Sequence, residues 1–266
     1  VIKRFLQQRQ DENFMNNQTK QTLSKVPEVT LAFWIIKIAA TTLGETGGDA
    51  LSMSMNLGYL LSTGIFAALF AGAVIVQIIA KKFHPLIYWV TIIATTTVGT
   101  TLADFADRSL GIGYAGGATL LLALLSLSLF LWHRTLGTIS VESVSTPKAE
   151  AFYWVTIMFS QTLGTALGDW TSDSAGMGYL GSAALFGGAL ALLALAFWKT
   201  TSSRTLLFWA AFILTRPLGA VLGDFLDKPH DHGGLALSRY AATGVLLLLM
   251  AVGIKCFPQR AARNGH

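Results

Sequence analysis

Residues Lys37–Ser52 read K-I-A-A-T-T-L-G-E-T-G-G-D-A-L-S and place a lysine and two carboxylates at the end of a long apolar segment. On a helix, Lys37, Thr41, Glu45, Asp49 and Ser52 follow one another at steps of four, four, four and three, so all five lie on one stripe. A charged stripe on an apolar helix of membrane length is costly in lipid, so it is expected to face a protein interior or a watery cavity. The pattern occurs three more times. The second stripe is Thr96, Thr100, Asp104 and Asp107. The third is Gln161, Thr165, Asp169 and Asp173, with Ser172 alongside, and the fourth is Arg216, Ala220, Asp224 and Asp227.

Working outward, each stripe belongs to a repeat aligned on an aromatic-Trp dipeptide: Phe33-Trp34, Tyr88-Trp89, Tyr153-Trp154 and Phe208-Trp209. Ten residues after each Trp stands Gly44, Gly99, Gly164 or Gly219, and five further on Asp49, Asp104, Asp169 or Asp224. A Gly-Tyr dipeptide follows in three repeats (Gly58-Tyr59, Gly113-Tyr114, Gly178-Tyr179), and the fourth has an insertion there, Lys228–Gly234. Apolar segments of membrane length span 28–50, 59–80, 85–106, 113–133, 150–170, 177–198, 204–226 and 236–256. They pair into repeats 28–80, 85–133, 150–198 and 204–256, with a connector over 134–149 that divides the chain into two halves.

The composition agrees. The chain has 266 residues, 53% hydrophobic and 12% charged, with a mean hydropathy of +0.55, which defines a polytopic membrane protein. A lone Cys256 excludes an intramolecular disulfide framework and a cysteine-rich metal site. Residues 1–26 read as a polar tail, either with a short surface helix over Ile2–Phe14 or partly disordered, and contain no apolar signal-peptide core. Residues 258–266 read as a second polar tail. Of the 19 Lys and Arg, Lys37 and Arg216 lie inside helices, Arg108, Lys228 and Arg239 fall on one side, and the rest fall on the other. The basic side is expected to be cytoplasmic, with both termini inside and the aromatic-Trp dipeptides forming belts near that interface. The expected fold is all-α: eight transmembrane helices as four tandem helix hairpins, all in the same orientation. The four odd helices then carry their Asp at similar depth around one axis, unlike inverted repeats.

Eight of the fourteen acidic residues belong to the stripes: Glu45, Asp49, Asp104, Asp107, Asp169, Asp173, Asp224 and Asp227. Carboxylates so close cannot all stay charged without compensation, which suits a bound divalent cation, protons, or the two in alternation. Lys37 and Arg216 are the candidate internal counter-ions, with Lys37 serving Glu45 or a neighbouring helix. Asp107, Asp173 and Asp227 are read either as ligands or as helix ends at the outer interface. Thr41, Thr100, Gln161 and Thr165 are the candidate supporting oxygen ligands. A donor set of carboxylate, hydroxyl and amide oxygens suits Mg²⁺, Mn²⁺ or Ca²⁺ rather than Cu⁺ or Zn²⁺. His230 and His232 are read as solvated loop residues, with a metal-mouth role as the alternative. Gly48, Gly168 and Gly223 (Ala103 in the second repeat) are read as close-packing residues, or as places where a helix breaks and exposes carbonyls. Pro217 makes the fourth repeat the expected site of a kink.

The F-W-x-x-K…T-T-x-G-E-x-x-x-D of the first repeat and the R-P-L-G-A-x-x-G-D-F-x-D-K-P of Arg216–Pro229 resemble a family of bacterial multi-pass proteins known as membrane-anchored proteins of unknown function. The resemblance covers most of residues 26–257 and implies a bacterial inner-membrane location and metal or manganese handling. A weaker similarity is to Glu-x-Gly-Asp cation/proton exchangers of manganese and calcium; here Glu45-Thr-Gly-Gly-Asp49 is one residue longer and the other repeats lack the Glu. The expected function is a secondary transporter of a hard divalent cation, Mn²⁺ export coupled to protons, with the lipid bilayer, the ion and protons as partners, and neither a catalytic site nor a resident cofactor. The alternatives are a Mg²⁺-dependent intramembrane enzyme acting on a lipid diphosphate through Asp104/Asp107 and Asp224/Asp227, with Arg108, Arg216, Lys228 and Arg239 as phosphate ligands, or a passive channel with an acidic ring.

Overall fold

A computed structural model describes residues 24–262, which form eight long helices. These are α1 (Leu31–Asp49), α2 (Gly58–Ile79), α3 (Pro85–Asp104), α4 (Tyr114–Leu136), α5 (Pro147–Asp169), α6 (Gly178–Lys199), α7 (Arg204–Asp227) and α8 (Arg239–Cys256). Their starts are written locally. Thr30 caps α1 by accepting from the Phe33 amide, Thr146 caps α5 ahead of Pro147, and Ser203 caps α7. Pro85 opens α3, where a missing N–H costs nothing. Six helices (α2, α3, α4, α6, α7 and α8) are long and apolar enough to cross a membrane. The chain is therefore a multi-pass membrane protein. The other two, α1 and α5, have 19 and 23 residues, but their charged residues lower their apolar character.

The inner helices α1, α3, α5 and α7 form a closed ring in which α1 packs on α3, α3 on α5, α5 on α7 and α7 on α1. The outer helices pack mainly on neighbours other than their own hairpin partners. Each covers the inner helix of the next repeat: α2 lies on α3, α4 on α5, α6 on α7, and α8 closes the circle on α1. In their spans only 6% to 22% of the outer-helix residues are buried, against 72% for α3 and 61% for α7, so the outer helices present the apolar surface that suits lipid.

The same step from one repeat to the next recurs side chain by side chain. The first aromatic of each dipeptide meets the Trp of the following repeat: Phe33–Trp89 at 5.6 Å, Tyr88–Trp154 at 5.7 Å, Tyr153–Trp209 at 6.3 Å and Phe208–Trp34 at 5.8 Å between ring centroids. Four contacts in one register require the inner helices to be parallel. They also correct the expected interfacial belt. Trp89, Trp154 and Trp209 are buried, and the aromatics plug one end of the ring. There the Tyr88 and Tyr153 hydroxyls bond each other at 2.7 Å, which satisfies two polar groups that would otherwise be stranded.

One glycine per repeat sets the helix spacing. A Cβ on Gly44, Gly164 or Gly219 would lie 2.5 Å from the Cβ of Thr96, Arg216 or Thr41, and one on Gly99 would lie 3.0 Å from the Gln161 Cβ. Each of these partners stands at the same register in the next repeat, so a side chain there would force the ring apart.

The first and last described residues are tied together at the aromatic end. The amide of Ser24 donates to the Ala262 carbonyl (3.2 Å), and the amide of Ala262 donates to the Val26 carbonyl (2.8 Å). The Ser24 hydroxyl donates to the Val141 carbonyl of the connector (2.6 Å). The Lys25 ammonium meets the carboxylate of Glu150 at 2.6 Å and donates to the carbonyls of Gln77 and Ile78. Residues 24–26, read from sequence as part of a free tail, are thus a buried clasp. The surface helix expected over Ile2–Phe14 lies outside the described residues.

Candidate functional site: an acidic layer on the ring axis

Above the aromatic plug the ring is polar, and its side chains fall into layers set by their distance from the Trp. Lowest is Lys37, fully buried. It does not pair with Glu45. Its ammonium lies 3.7 Å from the centroid of the Phe212 ring and donates to the Thr215 hydroxyl (2.8 Å) and the Phe212 carbonyl (3.3 Å). Thr41 adds a bond to the Thr215 carbonyl (3.2 Å). Both bonds brace α1 against the stretch of α7 just before Pro217, which lowers that helix's hydrogen-bond count because it has no N–H. The helix itself runs unbroken from Arg204 to Asp227, so the kink expected there does not interrupt it.

The next layer centres on Arg216, fully buried, whose Nη2 donates to Glu45 Oε2 at 2.9 Å, to the Thr100 hydroxyl at 2.6 Å and to the Thr165 hydroxyl. Glu45 also accepts from Thr100 (3.2 Å). All four inner helices contribute to this buried pair, and removing one partner would strand a charge. The Gln161 amide, at the register of Arg216 one repeat earlier, has no hydrogen-bond partner on either atom among the described residues. Glu45 therefore belongs with Arg216 and not to one five-carboxylate site. Thr41 and Gln161 lie eight residues below the aspartates, about 12 Å along a helix, too far to complete an ion's shell there. Thr100 and Thr165 serve Arg216 instead.

The aspartates form the uppermost layer. Asp49, Asp104, Asp169 and Asp224 are all buried. In the first three repeats the chain widens just after the Asp into a π-helical turn: Ala50–Ser54, Phe105–Ser109 and Trp170–Ser174. Its i+5 bonds run from Met55, Leu110 and Ala175 to the carbonyls of Ala50, Phe105 and Trp170. The glycines before the Asp stay helical and pack closely on the next repeat, the first of their two readings, and the helix widens only after the Asp. In the fourth repeat the Tyr comes 31 residues after the Trp instead of 25, a six-residue insertion that loops out. The matching Phe225 carbonyl then accepts from Leu235 (2.7 Å). Arg239-Tyr240 takes the place of Gly-Tyr, whose glycines have positive φ in the other repeats.

Arg216 is the internal counter-ion of Glu45, as expected, but the aspartates meet three other cations, assigned from sequence to the outer side. Arg108 Nε lies 2.8 Å from Asp104, and its Nη2 lies 4.0 Å from Asp169. Lys228 lies 2.6 Å from Asp49 and 3.1 Å from Asp224. Arg239 lies 2.9 Å from Asp227 and 3.9 Å from Asp49. Burial alone would lower the Lys228 ammonium, but Asp224, Asp49 and Asp227 outweigh it and hold it well above its ordinary range. Arg108 and Lys228 are equivalent: both stand 19 residues after their Trp, and each bridges its own Asp to that of the next repeat. The signal was present as D-F-x-D-[R/K], in Asp104–Arg108 and Asp224–Lys228. It reveals a pseudo-twofold pattern inside the fourfold one. Tyr59, Tyr114 and Tyr179 lie in electrostatic range of the Asp of the next repeat.

The remaining candidates separate. Asp227 stays at the layer's edge. Asp107 turns toward the first turn of α4, where a Cβ on Gly117 would lie 2.8 Å from its Oδ1, so it does not pair with Asp104 around an ion. Asp173 is exposed at the rim. Ser52 and Ser172 donate back to the Gly48 and Gly168 carbonyls of their own helices (2.8 and 2.9 Å). His230 bonds the Gly234 carbonyl within its loop, and His232 is 70% exposed, which fits solvated loop residues.

A ring of four parallel helix pairs around a buried acidic axis defines a repeat-built, multi-pass membrane protein. The chain belongs to the family described as a repeat of unknown function, DUF347, whose model matches residues 32–83, 87–138, 152–203 and 207–260, one match for each helix pair. Comparison with curated proteins and with solved structures found no match, so the similarity to cation/proton exchangers has no support there.

Proposed function

We propose that the protein is a secondary transporter of a hard divalent cation in exchange for protons, with Mn²⁺ export as the leading case and the aspartate layer as the carrier. One observation carries the reading. Among the described residues, Asp49, Asp104, Asp169, Asp224 and Asp227 have Arg108, Lys228 and Arg239 as their ion-pair partners, five carboxylates against three cations, for a formal charge of −2. A charge of that size among buried helices has to be neutralised. One divalent ion or two protons does so equally, and exchanging one for the other leaves no net charge buried. The available donors are oxygens, which favours hard ions. The aromatic plug closes one end of the axis, as alternating access requires. The loop lysines and arginines at that end favour a cytoplasmic orientation for it, and so an outward-facing acidic chamber in a bacterial inner membrane. The lipid-phosphate reading is weakened by the divergence of Asp104 and Asp107 and by the carboxylates that already engage Arg108, Lys228 and Arg239.

The test is flux in proteoliposomes with an internal pH dye, scanning Mn²⁺, Mg²⁺, Ca²⁺ and Zn²⁺. Metal-dependent proton movement is expected, and it is expected to be lost in Asp49→Asn and Asp169→Asn. Flux without proton movement would indicate a channel, and undiminished exchange in both variants would refute the carrier role of the layer.

A further inference from the structure

The two pseudo-equivalent halves of the layer are compensated unequally. In the half made by repeats 4 and 1, Asp49, Asp224 and Asp227 each offer an oxygen within 4.8 Å of the others, a spacing that suits one metal ion. Two internal cations already fill it, with Lys228 at 2.6 and 3.1 Å and Arg239 at 2.9 Å. Lys228 is 13% exposed and cannot leave without stranding its partners. In the half made by repeats 2 and 3, a single cation serves two aspartates, and Arg108 is 35% exposed at the rim. It is committed to Asp104 at 2.8 Å and reaches Asp169 only at 4.0 Å.

Asp169 is therefore the exception in its layer. It is 2% exposed, no donor lies within hydrogen-bonding distance of its carboxylate among the described residues, and Asp104 and Asp224 lie in electrostatic range on either side. Where Arg108 and Lys228 supply a cation in repeats 2 and 4, repeat 3 has Asp173, exposed at the mouth. Asp104 and Asp169 thus share one cation, whereas Asp49, Asp224 and Asp227 face two.

We propose that the two halves have diverged: the half made by repeats 4 and 1 is a permanently cation-locked copy, and the half made by repeats 2 and 3 binds the external divalent cation at Asp169 and Asp104, with Arg108 as a tethered cation that swings to solvent to admit it. This deepens the transport reading by naming the ligands of the same layer, but it concerns binding and is tested by binding.

The probe is Mn²⁺ alone, titrated onto the purified full-length chain and followed by loss of the aqueous Mn²⁺ spin-resonance signal. Arg108→Gln removes a like charge close to the incoming ion and is expected to tighten binding about tenfold, while Lys228→Gln does not tighten it. Asp169→Asn is expected to abolish binding. If Arg108→Gln does not give monodisperse protein, the shorter Arg108→Lys is expected to shift binding in the same direction by a smaller factor. Tightening in Lys228→Gln with none at Arg108 would move the site to the other half and overturn the assignment, as would wild-type affinity in Asp169→Asn. Binding with this variant pattern but without flux would leave the site standing and refute transport. No binding in the wild type or in Arg108→Gln would overturn both.

Discussion

Gly219→Ala tests the ring geometry most directly. The added Cβ would lie 2.5 Å from the Thr41 Cβ. Carbon atoms pack at about 3.5–4.0 Å, so α7 and α1 would have to part by about 1 Å or more. Overpacking of this kind costs about 1–3 kcal/mol. Parting also lengthens the 3.2 Å bond from Thr41 to the Thr215 carbonyl, worth about 1 kcal/mol. The better helix propensity of alanine returns about 1 kcal/mol. The net expectation is a loss of about 1–3 kcal/mol. Gly44→Ala and Gly164→Ala should behave alike, because their geometry repeats it. The controls are Gly72→Ala on α2 and Gly187→Ala on α6, where an added Cβ meets nothing within 4 Å. Thermal unfolding of detergent-purified protein, read by intrinsic tryptophan fluorescence, ranks all five. The ring packing would be refuted if Gly219→Ala melted with the two controls.

Two further perturbations address the polar interior and the clasp. Arg216→Met leaves the Glu45 carboxylate buried without its partner and should cost about 3–5 kcal/mol, while Glu45→Gln combined with Arg216→Met should recover much of that loss; equal melting of the single and double variants would argue against the pair. Lys25→Met breaks the contact with Glu150 and the bonds to the end of α2, and should raise amide exchange in residues 24–28 and 260–262 without altering the aspartate layer; unchanged exchange there would show that the clasp does not depend on Lys25.

Sequence and structure part company at the charges. Arg108 and Lys228 stand beyond the apolar segments and Arg239 at the start of the last one, so all three read as charges of the outer side. The π-helical turn at Phe105–Ser109 and the insertion of the fourth repeat bring them back over the aspartates. Glu45 and the four aspartates read as one site because Glu45 shares a stripe with Asp49 and the other stripes repeat it. A stripe fixes direction but not which neighbour a side chain meets, and Arg216, from another helix, claims Glu45 one turn below the others. Asp107 lies three residues from Asp104, yet within the π-helical turn it comes to face α4.

The sequence by itself determined what is periodic and local: the four repeats, their helices and caps, the common depth of the four aspartates and the glycine that allows close approach. These follow from residue spacing and backbone preferences that a short stretch carries on its own. Only the tertiary structure decided that each outer helix covers the next repeat's inner helix, that the aromatic dipeptides plug the ring, and which cation meets which carboxylate. Lys228 meets Asp49, Tyr88 meets Tyr153 and Thr243 meets Thr46 across long stretches of chain, and the burial that makes such pairings strong exists only once the ring has closed.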